Sequence, residues 1–299
     1  MTDDIEQMTI GDPLQAVTTS ETSVLQLANH SFSWGERTYL MGVLNMTPDS
    51  FSDGGEFNNI AAALAQANYL IESGADIIDI GGQSTRPNAE QVSVEEELNR
   101  VLPVIKQLRP LISVPISIDT TRAFVAQKAV EAGADLVNDI SGGTFDPNML
   151  SVVAQFDVPI VLMHIRGTPE TMQQLTDYQD LIGEIYLFFQ QQIAAALSAG
   201  INSSQIIIDP GIGFAKTAQQ NWQILQQLSR FKALGVPILV GPSRKSFIGR
   251  LLNLPDPKDR IWGTAAACCG AIAGGADILR VHDVREMHDV CRVADAIWR

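Results

Sequence analysis

Short runs rich in valine, isoleucine and leucine recur along the chain, separated by stretches whose apolar residues fall at helical spacing. The runs are YLMGVLN (39–45), DIIDIGG (76–82), VPISID (114–119), DLVNDIS (135–141), PIVLMHI (159–165), QIIIDPG (205–211), VPILVGP (236–242) and ADILRVHD (276–283). Runs this continuously apolar suit strands buried on both faces, as in a parallel sheet covered by helices. Between them, AAALAQANYLIESG (61–74), EEELNRVLPVIKQL (95–108) and LIGEIYLFFQQQIAAALSAG (181–200) read as amphipathic helices. Gly74, Gly133 and Gly275, or Pro115, Pro159 and Pro237, stand just ahead of strands, where a helix ends and the chain turns. Eight β/α units in about 260 residues predict an α/β protein of the (β/α)8 TIM-barrel class, a single domain over 23–299. An open doubly wound sheet also alternates strand and helix, but eight units without a break in composition are long for one. No GxGxxG follows the first strand, which removes the commonest dinucleotide-binding version. Residues 1–22 are polar and irregular and are expected to be a disordered acidic tail. Residues 23–38 read as a short hairpin covering the bottom of the barrel.

Composition narrows the partners. Among 299 residues, 20 Lys and Arg against 34 Asp and Glu give a net charge of −14. So acidic a chain repels nucleic acid and anionic membrane, so that an anionic ligand would need a few focused cations or a metal. No apolar run reaches membrane-spanning length, and the opening MTDDIEQMTIGD is too acidic for a signal peptide. Cys268, Cys269 and Cys291 are odd in number and lack metal-ligand spacing, so they are expected to be buried thiols in a reducing, cytoplasmic compartment.

Barrel enzymes place their chemistry where strands end. Here those ends carry Asn45, Asp79, Asp119, Asn138 and Asp139, His164 and Arg166, Asp209, the SRKS loop (243–246), and Arg280, His282 and Asp283. Any single Asp there can be a cap for the next helix, and Asp119 before TTRAF is an example. Arg280 and His282, two apart on a strand, face one side and suggest an anion subsite, with a structural ion pair as the alternative. Carboxylates and amides on strands 3, 4 and 6 suit a planar, donor-rich heterocycle, because a carboxylate accepts two parallel N–H bonds. Asn45 is placed to help with the anion or its metal.

In order along the chain, GVLNMTPDSFSDGG (42–55), DIGGQSTRPNAE (79–90), PISIDTTR (115–122), VNDISGG (137–143), VLMHIRGTPETMQ (161–173), IIIDPGIGFAKT (206–217), GPSRKSFIG (241–249) and ILRVHDV (278–284) resemble the dihydropteroate synthase family. The resemblance covers the chain from about residue 23 onward. It implies a barrel that joins 6-hydroxymethyl-7,8-dihydropterin pyrophosphate to p-aminobenzoate, releasing pyrophosphate. By the same resemblance, Asp119, Asn138, Asp209 and Lys245 would hold the pterin, with Met163 and Phe214 as apolar walls. Arg280 and His282 would lie against the pyrophosphate, and Asn45 would contact it and Mg²⁺. Asp119, Lys245, Arg280 and His282 would form the catalytic set. Thr85 and Arg86 lie in the second loop, and Lys245 and Ser246 would border the p-aminobenzoate pocket. Phe51 would supply an aromatic surface in a lid with a Gly54–Gly55 hinge, closing with 84–87 to exclude water. The sequence departs from the family pattern at Gln83, Asn88 and Ala215, where Glu, Gly and Gly are usual. Strand-end Asp and Asn would serve a methyltetrahydrofolate-binding corrinoid methyltransferase domain equally well. A catalytically idle scaffold is the remaining alternative. The apolar stretches 265–276 and 289–298, together with the family's habit, point to a homodimer.

Overall fold

A computed structural model describes residues 24–47, 56–85 and 91–299. The expected tail, Phe51, the Gly54–Gly55 hinge, Arg86 and Asn88 lie outside the described residues. Two short strands, β1 (Val24–Leu27) and β2 (His30–Ser33), pair antiparallel as the predicted hairpin. The eight barrel strands follow in chain order. They are β3 (Tyr39–Asn45), β4 (Ile77–Gly81), β5 (Ile116–Asp119), β6 (Leu136–Asp139), β7 (Ile160–Met163), β8 (Ile206–Asp209), β9 (Leu239–Val240) and β10 (Ile278–Val281). All neighbours pair parallel in the order β8-β7-β6-β5-β4-β3-β10-β9, and a bridge between Ile208 and Ile238 closes the ring. Each predicted strand is found. The ends are trimmed because the Gly and Pro that bracket them belong to the turns.

Period-two alternation sorts each strand into an inner and an outer set. Leu40, Ile78, Ile116, Val137, Ile160, Ile206, Val240 and Leu279 point outward into the large core shared with the helices. Tyr39, Met41, Ile77, Leu136, Val161, Ile207, Leu239 and Ile278 form a second core inside the barrel, packed with Leu25, Leu27, Phe32 and Trp34 of the hairpin. The hairpin therefore plugs the bottom of the barrel, and the strand ends at the other rim are left for chemistry.

The helices form where capping and periodicity coincide. In α1 (Glu56–Glu72), Ala63, Ala67 and Leu70 recur at helical spacing and are buried. Helix α2 (Val94–Leu108) begins where the Ser93 side chain accepts from Glu96 N, and it buries Val101, Val104, Ile105 and Leu108. Helix α5 (Leu181–Ser198) is capped by Asp180, and α6 (Ala218–Gln226) by a reciprocal Thr217–Gln220 box. The glycines ahead of strands do what was expected, with φ of 102° at Gly74, 113° at Gly133 and 91° at Gly275. Left-handed backbone there ends one helix and turns the chain toward the next strand. Among the described residues no helix is long and apolar enough to cross a membrane. Of the three thiols expected to be buried, Cys268 and Cys291 are, but Cys269 is only part-buried, packed against the edge of the core.

Candidate active site

On β4, β6, β8 and β10, two residues further along the strand than the inner core, the inward positions change from apolar to polar. Asp79, Asn138, Asp209 and Arg280 occupy them, with Ser117 and Asp119 on β5. Arg280 crosses the barrel. Its Nε donates to Asp79 Oδ2 at 2.6 Å and its Nη2 donates to Asp119 Oδ2 at 2.8 Å. Asn138 Nδ2 donates to the same Asp79 oxygen at 3.2 Å. Asp79, Asp119 and Asn138 are all buried. Burial pushes the Asp119 carboxyl up to about 7, although Arg280 pulls it back. The Arg280 guanidinium, despite its burial, is held above its ordinary range by Asp79 and Asp119.

Asp209 accepts from Gly211 N at 2.7 Å, and burial lifts its carboxyl to about 6 against that bond and the pull of Lys245. Lys245 Nζ lies 4.3 Å from the centre of the Phe214 ring. Burial lowers this amine to about 8, against the attraction of Asp209. Met163 and Phe214 join Ile140, Ile165, Met172 and Ala215 in an apolar cluster at the rim. A small cavity of about 40 Å³ opens beside Asp119, lined among others by Thr85, Ile140 and Phe145. His282 is held by Ser243, whose Oγ lies 3.0 Å from Nδ1 and accepts from the His282 backbone N–H at 3.1 Å. Asn45 stands half-buried at the end of β3. Ser246 is exposed at the start of α7 (Ser246–Leu252), where its hydroxyl accepts from Arg250.

The capping alternative for Asp119 does not hold. The first N–H of α3 (Ala123–Glu131), at Ala123, donates to Asp146 Oδ2 at 2.8 Å, and Arg122 N donates to Thr120 Oγ1. Five other strand-end groups do not face the mouth, because they fall on the outward phase of their strands or beyond the last ladder bond. Asp139 folds back onto Ser141 N, Ser141 Oγ and Gly143 N. Arg166 pairs with Glu184 and stacks on Tyr178. Arg244 forms a bidentate pair with Asp283, which occupies its Nε and Nη2.

His164 points outward as well and exposes a group that sequence reasoning missed. The buried Lys216 donates to Phe214 O at 2.8 Å and His164 O at 3.3 Å, and its Nζ lies 3.0 Å from His164 Nδ1. Burial lowers this amine to about 7, and burial together with Lys216 holds His164 well below its usual range. Lys216 thus ties the Phe214 loop to the end of β7. Nothing local in GFAKT announces this, since it depends on where β7 ends. Lys216→Met keeps the stem and removes the donors, leaving two carbonyls unpaired. A loss of about 2 kcal/mol is expected, read by calorimetry as a melting temperature lower by several degrees; an unchanged melting temperature would show the tie to be idle.

A barrel with a polar inner layer of carboxylates, amide and guanidinium, roofed by Phe214 and Met163, defines a pterin-binding class of enzyme. The family described as pterin binding enzyme matches residues 41–282 of the chain. The chain is 64% identical over 268 residues to the dihydropteroate synthase of Synechocystis sp. (strain ATCC 27184 / PCC 6803 / Kazusa), covering 90% of this chain and 93% of that one. Among solved structures, it resembles Xanthomonas albilineans dihydropteroate synthase with 4-aminobenzoic acid at 42% identity and a TM-score of 0.86, covering 93% and 98% of the two chains. The same enzyme in complex with 7,8-dihydropteroate aligns at 41% identity and a TM-score of 0.83, covering 92% and 98%. The chain belongs to the dihydropteroate synthase family, transferases of folate synthesis.

Proposed function

We propose that the chain joins the exocyclic carbon of 6-hydroxymethyl-7,8-dihydropterin pyrophosphate to the amine of p-aminobenzoate, giving 7,8-dihydropteroate and pyrophosphate. The observation that carries this reading is the inward-facing set of Asp119, Asn138, Asp209 and Arg280 at the barrel mouth. Asp119 and Asp209 accept the N–H groups of the aminopyrimidine edge, and Asn138 and Lys245 complete the polar frame. Met163 and Phe214 wall the ring. Arg280 and His282 face the pyrophosphate, with Ser243 fixing the imidazole. Thr85, Lys245 and Ser246 border the aryl amine.

The reaction proceeds by departure of the leaving group first. The C–O bond breaks with its electron pair going to pyrophosphate, and Arg280 and His282 stabilise the charge that develops there. The pterin ring spreads the positive charge left on carbon, and a dry pocket protects that cation from hydrolysis. The amine lone pair then forms the C–N bond, and one amine proton is lost. No strong general base is required, because an aryl ammonium is acidic.

Among the described residues no three His, Cys, Asp or Glu side chains converge as a metal cluster. Asn45 offers one amide oxygen at the mouth. That donor set fits Mg²⁺, which binds through one or two protein oxygens, water and substrate phosphates. When bound, Mg²⁺ neutralises charge on the leaving pyrophosphate. Purified chain, Mg²⁺ and both substrates should release dihydropteroate and pyrophosphate in equal amounts; pterin binding without turnover would contradict the reading.

The chain is further proposed to work as a cytoplasmic homodimer. The unpaired thiols suit a reducing compartment. An apolar groove of about 600 Å³ runs between α6, α7 and α8 (Ile261–Ala273), lined by Trp222, Leu251, Leu252 and Ala266. Trp262, on the same helix as the lining Ala266, is 80% exposed. So large an apolar patch fits a self-complementary twofold contact. Light scattering should give the mass of a dimer for the chain and of a monomer for Leu251→Asp; a monomeric unmutated chain would refute the assembly.

A further inference from the structure

We propose that Asp79 is a positioning residue, which decides the faces that Asn138 and Arg280 present to the pterin and its leaving group. The inference rests on the reading above for the identity of the ligand. Asp79 lies on β4, midway along the strand order β6-β5-β4-β3-β10. Asn138 reaches it from two strands away on one side, and Arg280 from two strands away on the other. Its register partner on β5 is Ser117, small enough for Asn138 to pass over. Above Asp79, β4 ends in Gly81, where an added Cβ would come within 3.4 Å of Asp119 Cβ. The strand therefore presents no side chain at its last position and acts from one layer below.

A single oxygen, Oδ2, receives both donors. With its nitrogen tied down to a carboxylate, the Asn138 amide turns Oδ1 the opposite way, and a flip would set two oxygens against each other. Arg280 spends its Nε and Nη2 edge on Asp79 and Asp119, which leaves Nη1 and the outer Nη2 hydrogen for an anion. Asp79 keeps the guanidinium neutralised and anchored while Asp119 exchanges Arg280 for the pterin.

A purely structural role explains the carboxylate poorly. Among the described residues Asp79 Oδ1 has no hydrogen-bond partner, nor has the neighbouring Ser117 Oγ, and both residues are fully buried. A buried carboxylate with one bare oxygen costs stability.

The test is direct binding of 6-hydroxymethylpterin, which lacks the pyrophosphate, to the full chain and to Asp79→Asn, together with steady-state kinetics. Expected are a dissociation constant raised about tenfold or more and a matching rise in KM for the pterin pyrophosphate, with KM for p-aminobenzoate moved less than about twofold. In an Asn138→Ala background, Asp79→Asn should weaken pterin binding less than about threefold further, because its effect passes through Asn138. Asp79→Leu, which can accept from neither Asn138 nor Arg280, should bind pterin at least as poorly as Asp79→Asn and melt lower, because Arg280 loses a buried partner. Unchanged pterin binding in Asp79→Asn overturns the inference, as do KM values for both substrates rising together with a lowered melting temperature. A chain that binds no pterin before mutation refutes the functional reading itself, and the inference with it.

Discussion

Arg280→Ala is expected to lower kcat/KM by about three orders of magnitude, and to destabilise the fold as well. The guanidinium bridges two buried carboxylates, Asp79 and Asp119, at 2.6 and 2.8 Å. Removing it leaves like charges facing each other in the barrel, and breaking a buried pair in this way costs about 3–5 kcal/mol. The catalytic loss has a separate origin, because one donor aimed at developing charge is worth about a hundred- to a thousandfold in rate. Arg280→Lys separates the two effects. It keeps the charge but cannot bridge both carboxylates in a fixed plane, so it should recover much of the melting temperature and little of the rate. Activity within about tenfold of the unmutated chain for Arg280→Ala would remove Arg280 from the anion subsite.

Asp119→Ala is expected to weaken pterin binding by at least a hundredfold. The pocket then loses one of the two carboxylates that accept from the buried aminopyrimidine edge, and each charge-assisted hydrogen bond is worth about 1.5–3 kcal/mol. Since α3 is capped by Asp146, the loss should not come from helix fraying. Retained affinity within a few-fold would contradict the assignment. The pH dependence carries a second signature, with opposite signs for binding and stability. Binding needs the carboxylate, so affinity should fall as pH drops through about 7 for Asp119 and about 6 for Asp209. Stability runs the other way. A carboxyl raised by burial from 3.8 to about 7 contributes stability that is present below 3.8 and lost as pH rises through about 7. The melting temperature of the unmutated chain relative to Asp119→Asn should therefore decline between about pH 4 and about pH 7. A constant difference would mean that the Asp119 pKa is little changed by folding.

The barrel was legible because its strands are buried on both faces and read as apolar runs, and because Gly or Pro marks each turn. The hairpin was legible for a similar reason: Leu25, Leu27 and Phe32 alternate with polar residues. The site was legible at the level of strand ends, but not of faces. Asn138 and Asp139 are adjacent, as are His282 and Asp283, and only the phase of the strand decides which one looks inward. For β10 the spacing of Arg280 and His282 supplied that phase. For β6 and β7 nothing in the sequence did, so Asp139 and His164 were grouped with residues they do not join. The Arg244–Asp283 and Lys216–His164 contacts span 39 and 52 positions and exist only once the barrel has closed. Asp79 was visible as a polar strand end, but its link to Asn138 and Arg280 depends on which strands flank β4.

The most direct test is a crystal structure of the chain with Mg²⁺, p-aminobenzoate and an unreactive analogue of the dihydropterin pyrophosphate. The expected complex has the aminopyrimidine edge about 3 Å from the carboxylates of Asp119 and Asp209. Asn138 Oδ1 faces the ring, and the pyrophosphate lies against Arg280 and His282. A pterin bound away from Asp119 and Asp209, or a pyrophosphate remote from Arg280, would contradict the assignment of the inner polar layer as the substrate site.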